Sequence, residues 1–197
     1  MADEETLRVY EAQAEDYATE FTRGDDPHLE RFLDMLPVGA RVLDLGCGPG
    51  KAAARMQARG VQVAAWDASP EFVAWAQGTY GVAAEVAEFT ALRSVAEYDG
   101  IYANFSLLHA PKADMPGHLA RIAKALVTAG RFHIGMKTGI GEKRDALGRF
   151  YAYYEDAELT DLLEAAGLTV DYRKTGAEAG LDGTVAPWII LQAIKHD

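Results

Sequence analysis

The chain of 197 residues has one cysteine, Cys47, so it can form no internal disulfide and cannot build a multi-cysteine metal cluster. Basic residues are few: 19 Lys and Arg against 30 Asp and Glu leave a formal net charge of -11. An acidic surface repels nucleic-acid backbones at long range, so a nucleic-acid partner is not expected. The five histidines, His28, His109, His118, His133 and His196, show neither HxH nor HExxH spacing, and no metal site is expected. No apolar run approaches the roughly 20 residues needed to cross a bilayer. The opening MADEETLRVY also lacks the basic start and apolar centre of a signal peptide. No membrane partner and a cytoplasmic location are the resulting expectations.

What remains is a composition of 49% hydrophobic and 25% charged residues, that of a globular chain able to bury a core. Its length favours one domain over residues 1–197. Tyr10, Ala14, Tyr17 and Phe21 recur at helical spacing, which predicts an amphipathic helix over residues 5–22 with an aromatic stripe. Asp26-Pro27 opens a second helix, and Pro37-Val38-Gly39 ends it. From residue 41 short apolar runs alternate with helical stretches: strands at RVLDL, VQVAAW, 82–87, DGIYANF and RFHIGMK, with helices between them, the longest over 114–128. Strand–helix alternation predicts right-handed crossovers and a mainly parallel sheet covered on both faces. After a Gly-rich insertion and a helix over 155–166 come LTVDYRKT and PWIILQAIK, two strands with no helix between them, which fit antiparallel partners.

The stretch VLDLGCGPG, residues 42–50, carries the chemistry. Val42, Leu43 and Leu45 suit a buried strand, whereas Asp44 is an acid that burial penalises unless donors or a positive charge attend it. Gly46, Gly48 and Gly50 then permit positive φ and close approach of backbone to a ligand. A dinucleotide fingerprint GxGxxG would place its third glycine at position 51, which is Lys51, so the spacing points away from NAD. Asp67 ends the next strand, 21 residues after Gly46, where a carboxylate can accept both hydroxyls of a ribose.

With these features together, the sequence resembles the class I S-adenosylmethionine-dependent methyltransferases of small-molecule type. DLGCGPG is similar to that family's first motif, WDAS to its second, and YDGIYANFSLLHAP to its fourth; AEFTAL occupies the place of the adenine-binding stretch. The likeness covers about residues 41–136 in motif detail and the rest in topology. It implies a doubly wound Rossmann-like α/β fold, with a mainly parallel seven-stranded sheet, an antiparallel C-terminal strand and helices on both faces. It further implies S-adenosyl-L-methionine as cofactor and a small molecule as acceptor.

Carried over, Gly46, Cys47, Gly48 and Gly50 would wrap the methionyl part of the cofactor, with Asp44 organising that loop or meeting the amino group. Asp67, Ala68 and Ser69 would hold the ribose, while Glu88 and the Phe89 amide would meet the adenine; Asn104 completes the set. Tyr10 and Tyr17 resemble aromatics that close over the cofactor, within an N-terminal helical cap of residues 1–38. Glu88 stands where Asp is frequent, and Asn104 lacks the Asn-Pro-Pro-Tyr context of nucleic-acid amino methylation.

His109 is the candidate base or hydrogen-bonding group near the methyl. The insertion at 137–154 sets Lys137, Lys143, Arg144 and Arg149 beside Phe150, Tyr151, Tyr153 and Tyr154, which suggests an acceptor lid. Lys137, Arg144, Tyr154 and Trp188 are its expected acceptor contacts, with Asp182 near. Two other readings remain at this point: a cofactor-binding protein without transfer activity, and a nicotinamide-dependent oxidoreductase. The accepting atom and the oligomeric state are not written in these residues.

Overall fold

The computed structural model describes residues 3–14 and 26–196. Helix α1 (Glu4–Ala12) starts where Asp3 accepts the Thr6 amide, and α2 (Pro27–Asp34) starts where Asp26 accepts the amides of His28 and Leu29. Both caps satisfy donors that a helix start otherwise leaves unpaired. The second half of the expected aromatic stripe, Tyr17 and Phe21, lies outside the described residues.

Seven strands form one sheet: β1 (Arg41–Leu45), β2 (Gln62–Asp67), β3 (Ala84–Val86), β4 (Tyr98–Asn104), β5 (Leu126–Lys137) and, at the end of the chain, β8 (Leu168–Ala179) and β9 (Val185–Lys195). Their order is β3-β2-β1-β4-β5-β9-β8. Pairs from β3 through β5 are parallel, while β9 runs antiparallel to both β5 and β8, as the missing helix between the last two strands implied. Helices α3 (Lys51–Ala58), α4 (Pro70–Tyr80), α5 (Met115–Ala125) and α6 (Asp156–Ala165) make the crossovers. The order reverses between β1 and β4, and a doubly wound sheet opens its ligand crevice at such a reversal, beyond the carboxyl ends of the strands.

The larger core lies on the α5 and α6 face, where Leu43, Ile101, Phe132 and Ile134 meet Leu119, Ile122, Leu159 and Leu163. On the opposite face Leu29, Phe32 and Leu33 of α2 cover Val42 and Tyr102.

Two expectations need correction. The helix predicted over 114–128 ends at Ala125, and Leu126, Val127 and Thr128 open β5 instead. Tyr98 pairs with Leu126 before a register shift, and Ala129 takes φ 60, so the strand begins with an irregularity that helical periodicity cannot reveal. The insertion is also not plain loop: β6 (Glu142–Arg144) and β7 (Phe150–Ala152) form a separate antiparallel hairpin.

Candidate active site

The loop after β1 is shaped by close approaches that only glycine permits. The amides of Gly46 and Cys47 both donate to Trp66 O, at 2.8 and 2.9 Å, tying the loop to the end of β2. Gly46 has φ 81, and a Cβ there would overlap Ser106, whose Oγ donates to Leu45 O at 2.6 Å. Gly50 has φ 89, and its Cβ would overlap Ala76 of α4. The loop is therefore pinned on both sides, with its backbone turned toward the crevice.

Asp44, 2% exposed, carries a buried Oδ2 with no partner among the described residues. Burial first, then the neighbouring Asp67, pushes its carboxyl up to about 7, against the pull of the Ala53 amide. Such a group is relieved by a cation or donor placed beside it. Asp67 accepts the Gly48 amide at 2.8 Å and the Ser69 amide at 2.9 Å, so its side chain links the ends of β1 and β2. Burial raises its pKa, and the amides of Ser69, Gly48 and Ala68 oppose that rise. Ser69 in turn caps α4 by accepting the Phe72 amide. Cys47 is buried at 8% exposure, and burial together with Asp44 and Asp67 drives its thiol well above the ordinary range, so it stays protonated.

These groups line one cleft of about 340 Å³, within the range of small-molecule sites. Asp44, Gly46, Cys47, Gly48, Asp67, Ala68, Ser69, Glu88, Phe89, Asn104, Tyr10 and His109 all contribute to its walls. At the far end Glu88 accepts from Thr90 Oγ1 at 3.4 Å, and Phe89 meets His118 edge to face at 5.6 Å.

Tyr10 and His109 close the opposite side. His109 Nδ1 lies 2.7 Å from Phe150 O, a group that only accepts, so Nδ1 carries the proton and Nε2 accepts the Tyr10 hydroxyl at 2.9 Å. Arg149 Nη1 donates to the same Tyr10 oxygen at 3.3 Å. Burial first, with Arg149 and Lys137 adding to it, holds the His109 pKa down at about 4, so the ring is neutral near pH 7.

The remaining expected residues sit elsewhere. Gly50 packs against α4 and does not line the cleft, and Tyr17 lies outside the described residues. None of the four expected acceptor contacts lines the cleft. Arg144 is paired with Asp3 at 2.8 Å and Glu5 at 3.2 Å; Lys137 Nζ rests 4.2 Å from the centre of the Tyr151 ring. Tyr154 is wholly buried, its hydroxyl without a hydrogen-bond partner among the described residues, and Trp188 lies across Gly176. In their place the walls include residues not singled out in the sequence for the site: Tyr102, Phe105 and Ser106 from within the YDGIYANFSLLHAP stretch, and Asp26, Leu29 and His118 from outside the quoted motifs. Asp26, Leu29 and His118 arrive from elements distant in sequence from the motifs, and of these three only Asp26, as a helix cap, carried a local signal.

Residues 42–130 match the model of the methyltransferase domain family. No curated protein matches the sequence. Among solved structures, 1,6-didemethyltoxoflavin-N1-methyltransferase of Burkholderia thailandensis, with bound 1,6-didemethyltoxoflavin and S-adenosylhomocysteine, is 25% identical at TM-score 0.76, over 98% of this chain and 88% of that one. A TehB-like SAM-dependent methyltransferase from Corynebacterium glutamicum is 22% identical at TM-score 0.69, over 94% and 99% of the two chains. A Haemonchus contortus phosphoethanolamine N-methyltransferase, 14% identical at TM-score 0.73, shares the fold over 99% of this chain and 61% of its own. The glycine loop, the acids at three successive strand ends and the sheet order agree with the methyltransferase domain that residues 42–130 match, and the fold is that of the class I S-adenosylmethionine-dependent methyltransferases.

Proposed function

We propose that the protein transfers a methyl group from S-adenosylmethionine to a small-molecule acceptor that enters between α1 and the carboxyl ends of β4 and β5. The observation that carries this reading is one cleft in which the pinned glycine loop, Asp44, Asp67 and Glu88 converge. Asp67 would take the ribose hydroxyls, Glu88 and the Phe89 amide the adenine, and Asp44 the amino group, whose charge suits its unpartnered oxygen. Ala68, Ser69, Gly48 and Cys47 would line the cofactor with backbone. The bound cofactor supplies an electrophilic sulfonium methyl; the residues of the chain align the acceptor with it and exclude water.

The Tyr10 hydroxyl and the neutral His109 would face the acceptor. A ring held neutral beside Arg149 is a weak base, so His109 serves as the acceptor that aims the Tyr10 hydroxyl. This suits an acceptor atom that already holds a free lone pair. Residues 1–38 would act as a cap, with α1 and α2 as its described helices, and 137–154 as the segment that steadies α1. Arg144 would latch α1 through Asp3, and Lys137, which does not line the cleft, would hold the Tyr151 ring against His109 and so act on the acceptor side through it.

Calorimetric titration with S-adenosylmethionine, S-adenosylhomocysteine and NAD tests the cofactor reading. Binding of the first two and not of NAD is the expected result, and NAD binding alone would sink it. Mass spectrometry of candidate acceptors for the gain of one methyl group then separates an active enzyme from a binding protein. In the double variant K137A/R144A, methylation of an acceptor found this way should weaken while cofactor affinity holds.

A further inference from the structure

On the α2 side of the sheet a buried polar row crosses three strands. Tyr102, His133 and Gln192 lie side by side in register on β4, β5 and β9 and are 1%, 0% and 4% exposed. Burying three polar groups in one row costs stability unless each is paired, and the pairing leaves little choice of hydrogen positions. Gln192 Nε2 lies 2.8 Å from His28 O, a carbonyl that can only accept, so that atom is the amide nitrogen. The same nitrogen lies 3.2 Å from His133 Nδ1, which must therefore accept. The proton of the neutral ring then sits on Nε2, 3.0 Å from Asn104 Oδ1, which accepts it.

The ring itself is fixed by stacking on Tyr102, centroids 4.1 Å apart, and the Tyr102 hydroxyl donates to Asp26 Oδ2 at 2.9 Å. Gly135 completes the arrangement, because a Cβ there would collide with Asn104 Oδ1. Asn104 lines the cleft, and with its oxygen committed to His133 the group it offers there is Nδ2, a donor of two hydrogens.

We infer that His133 and Gln192, which do not line the cleft, are positioning residues that hold the Asn104 carboxamide with its N–H groups toward the cofactor, where they receive the α-carboxylate of its methionyl part. The inference rests on the cofactor reading above. Asp44 faces Tyr102 in the register of β1 and β4, and Asn104 follows two residues on, about 7 Å along the same face. An unpartnered carboxylate oxygen and a pair of N–H donors at that spacing match the ammonium and the carboxylate of an amino acid. Reversing the carboxamide would set oxygen against carboxylate, and the His133–Gln192 pairing forbids that reversal.

The test measures binding of S-adenosylhomocysteine and of 5′-methylthioadenosine, which lacks the amino-acid end, to wild type, N104A, N104D and H133F. Phe at 133 keeps a ring against Tyr102 while removing the donor. Each variant should lose affinity for S-adenosylhomocysteine roughly tenfold or more, N104D most, and hold 5′-methylthioadenosine as tightly as wild type. Equal affinity for S-adenosylhomocysteine in all four proteins, or equal loss for both ligands, overturns the inference. Should H133F fail to fold, N104A and N104D decide the matter. Failure of wild type to bind either ligand would overturn the cofactor reading itself. In wild type, nitrogen shifts of His133 should report the Nε2–H form, and the other tautomer would also overturn the inference.

Discussion

At the scale of single residues, Asp67 joins loop, strand and helix, because its two oxygens hold the Gly48 and Ser69 amides. Asp67→Ala should lower S-adenosylhomocysteine affinity by about ten- to hundredfold in a calorimetric titration, since both the proposed ribose contact and the shape of the loop depend on it. Asp44 gives a pH-dependent counterpart. Its folded pKa, near 7, stands above the ordinary 3.8, so the folded protein keeps a proton that the unfolded chain releases. That contribution to stability is complete at acid pH and is lost as pH rises to about 7. If the ammonium of the cofactor meets the ionised carboxylate, binding near pH 6 should release up to one proton, and the release should fade above about pH 8. Titrations in two buffers of unequal ionisation heat measure it, and Asp44→Asn should abolish it. Asp44, Asp67 and Glu88 were legible because each sits at a strand end beside a local motif. Asp26, Leu29 and His118 were not, because nothing near them in sequence says which cleft they reach.

At the scale of elements, α1 and the β6–β7 hairpin hold one another. Thr6 Oγ1 accepts the Phe150 amide at 2.8 Å, Arg144 grips Asp3, and Arg149 reaches Tyr10. Arg149 is 2% exposed and pairs with Asp145 at 2.6 Å. Arg149→Ala leaves the buried Asp145 carboxylate without its cation, with the amides of Leu147 and residue 149 left to hold it, and should cost about 3–5 kcal/mol in chemical denaturation. Arg144→Ala, at an exposed pair, should leave global stability almost unchanged and speed amide exchange along α1, since that pair anchors the helix locally. The hairpin escaped the sequence reading for a physical reason: its strands are three residues each, and EKR alternates no apolar side chain. Their pairing depends on contacts with a helix about 140 residues earlier. Caps, by contrast, are local, and Asp26-Pro27 predicted the start of α2.

At the scale of the whole molecule, the alternation of strands and helices foretold the parallel sheet, and the helix-free connection foretold the antiparallel β9. Alternation is a property of the entire chain and survives misplaced boundaries such as that at Leu126. The net charge of -11 acts at the same scale. Self-repulsion disfavours the compact state and salt screens it, so the melting temperature should rise between about 10 and 150 mM sodium chloride. A fall over that range would mean that attractive pairs such as Arg173 with Asp156 outweigh the net charge.

The division of labour between sheet and hairpin bears on how such a chain changes over generations. The proposed cradle for the donor is welded into β1 and β2, whereas α1, the proposed roof of the entrance, is moored to a short excursion between β5 and α6. Mutations in that excursion can reshape the doorway and the guests it admits while the donor keeps its seat.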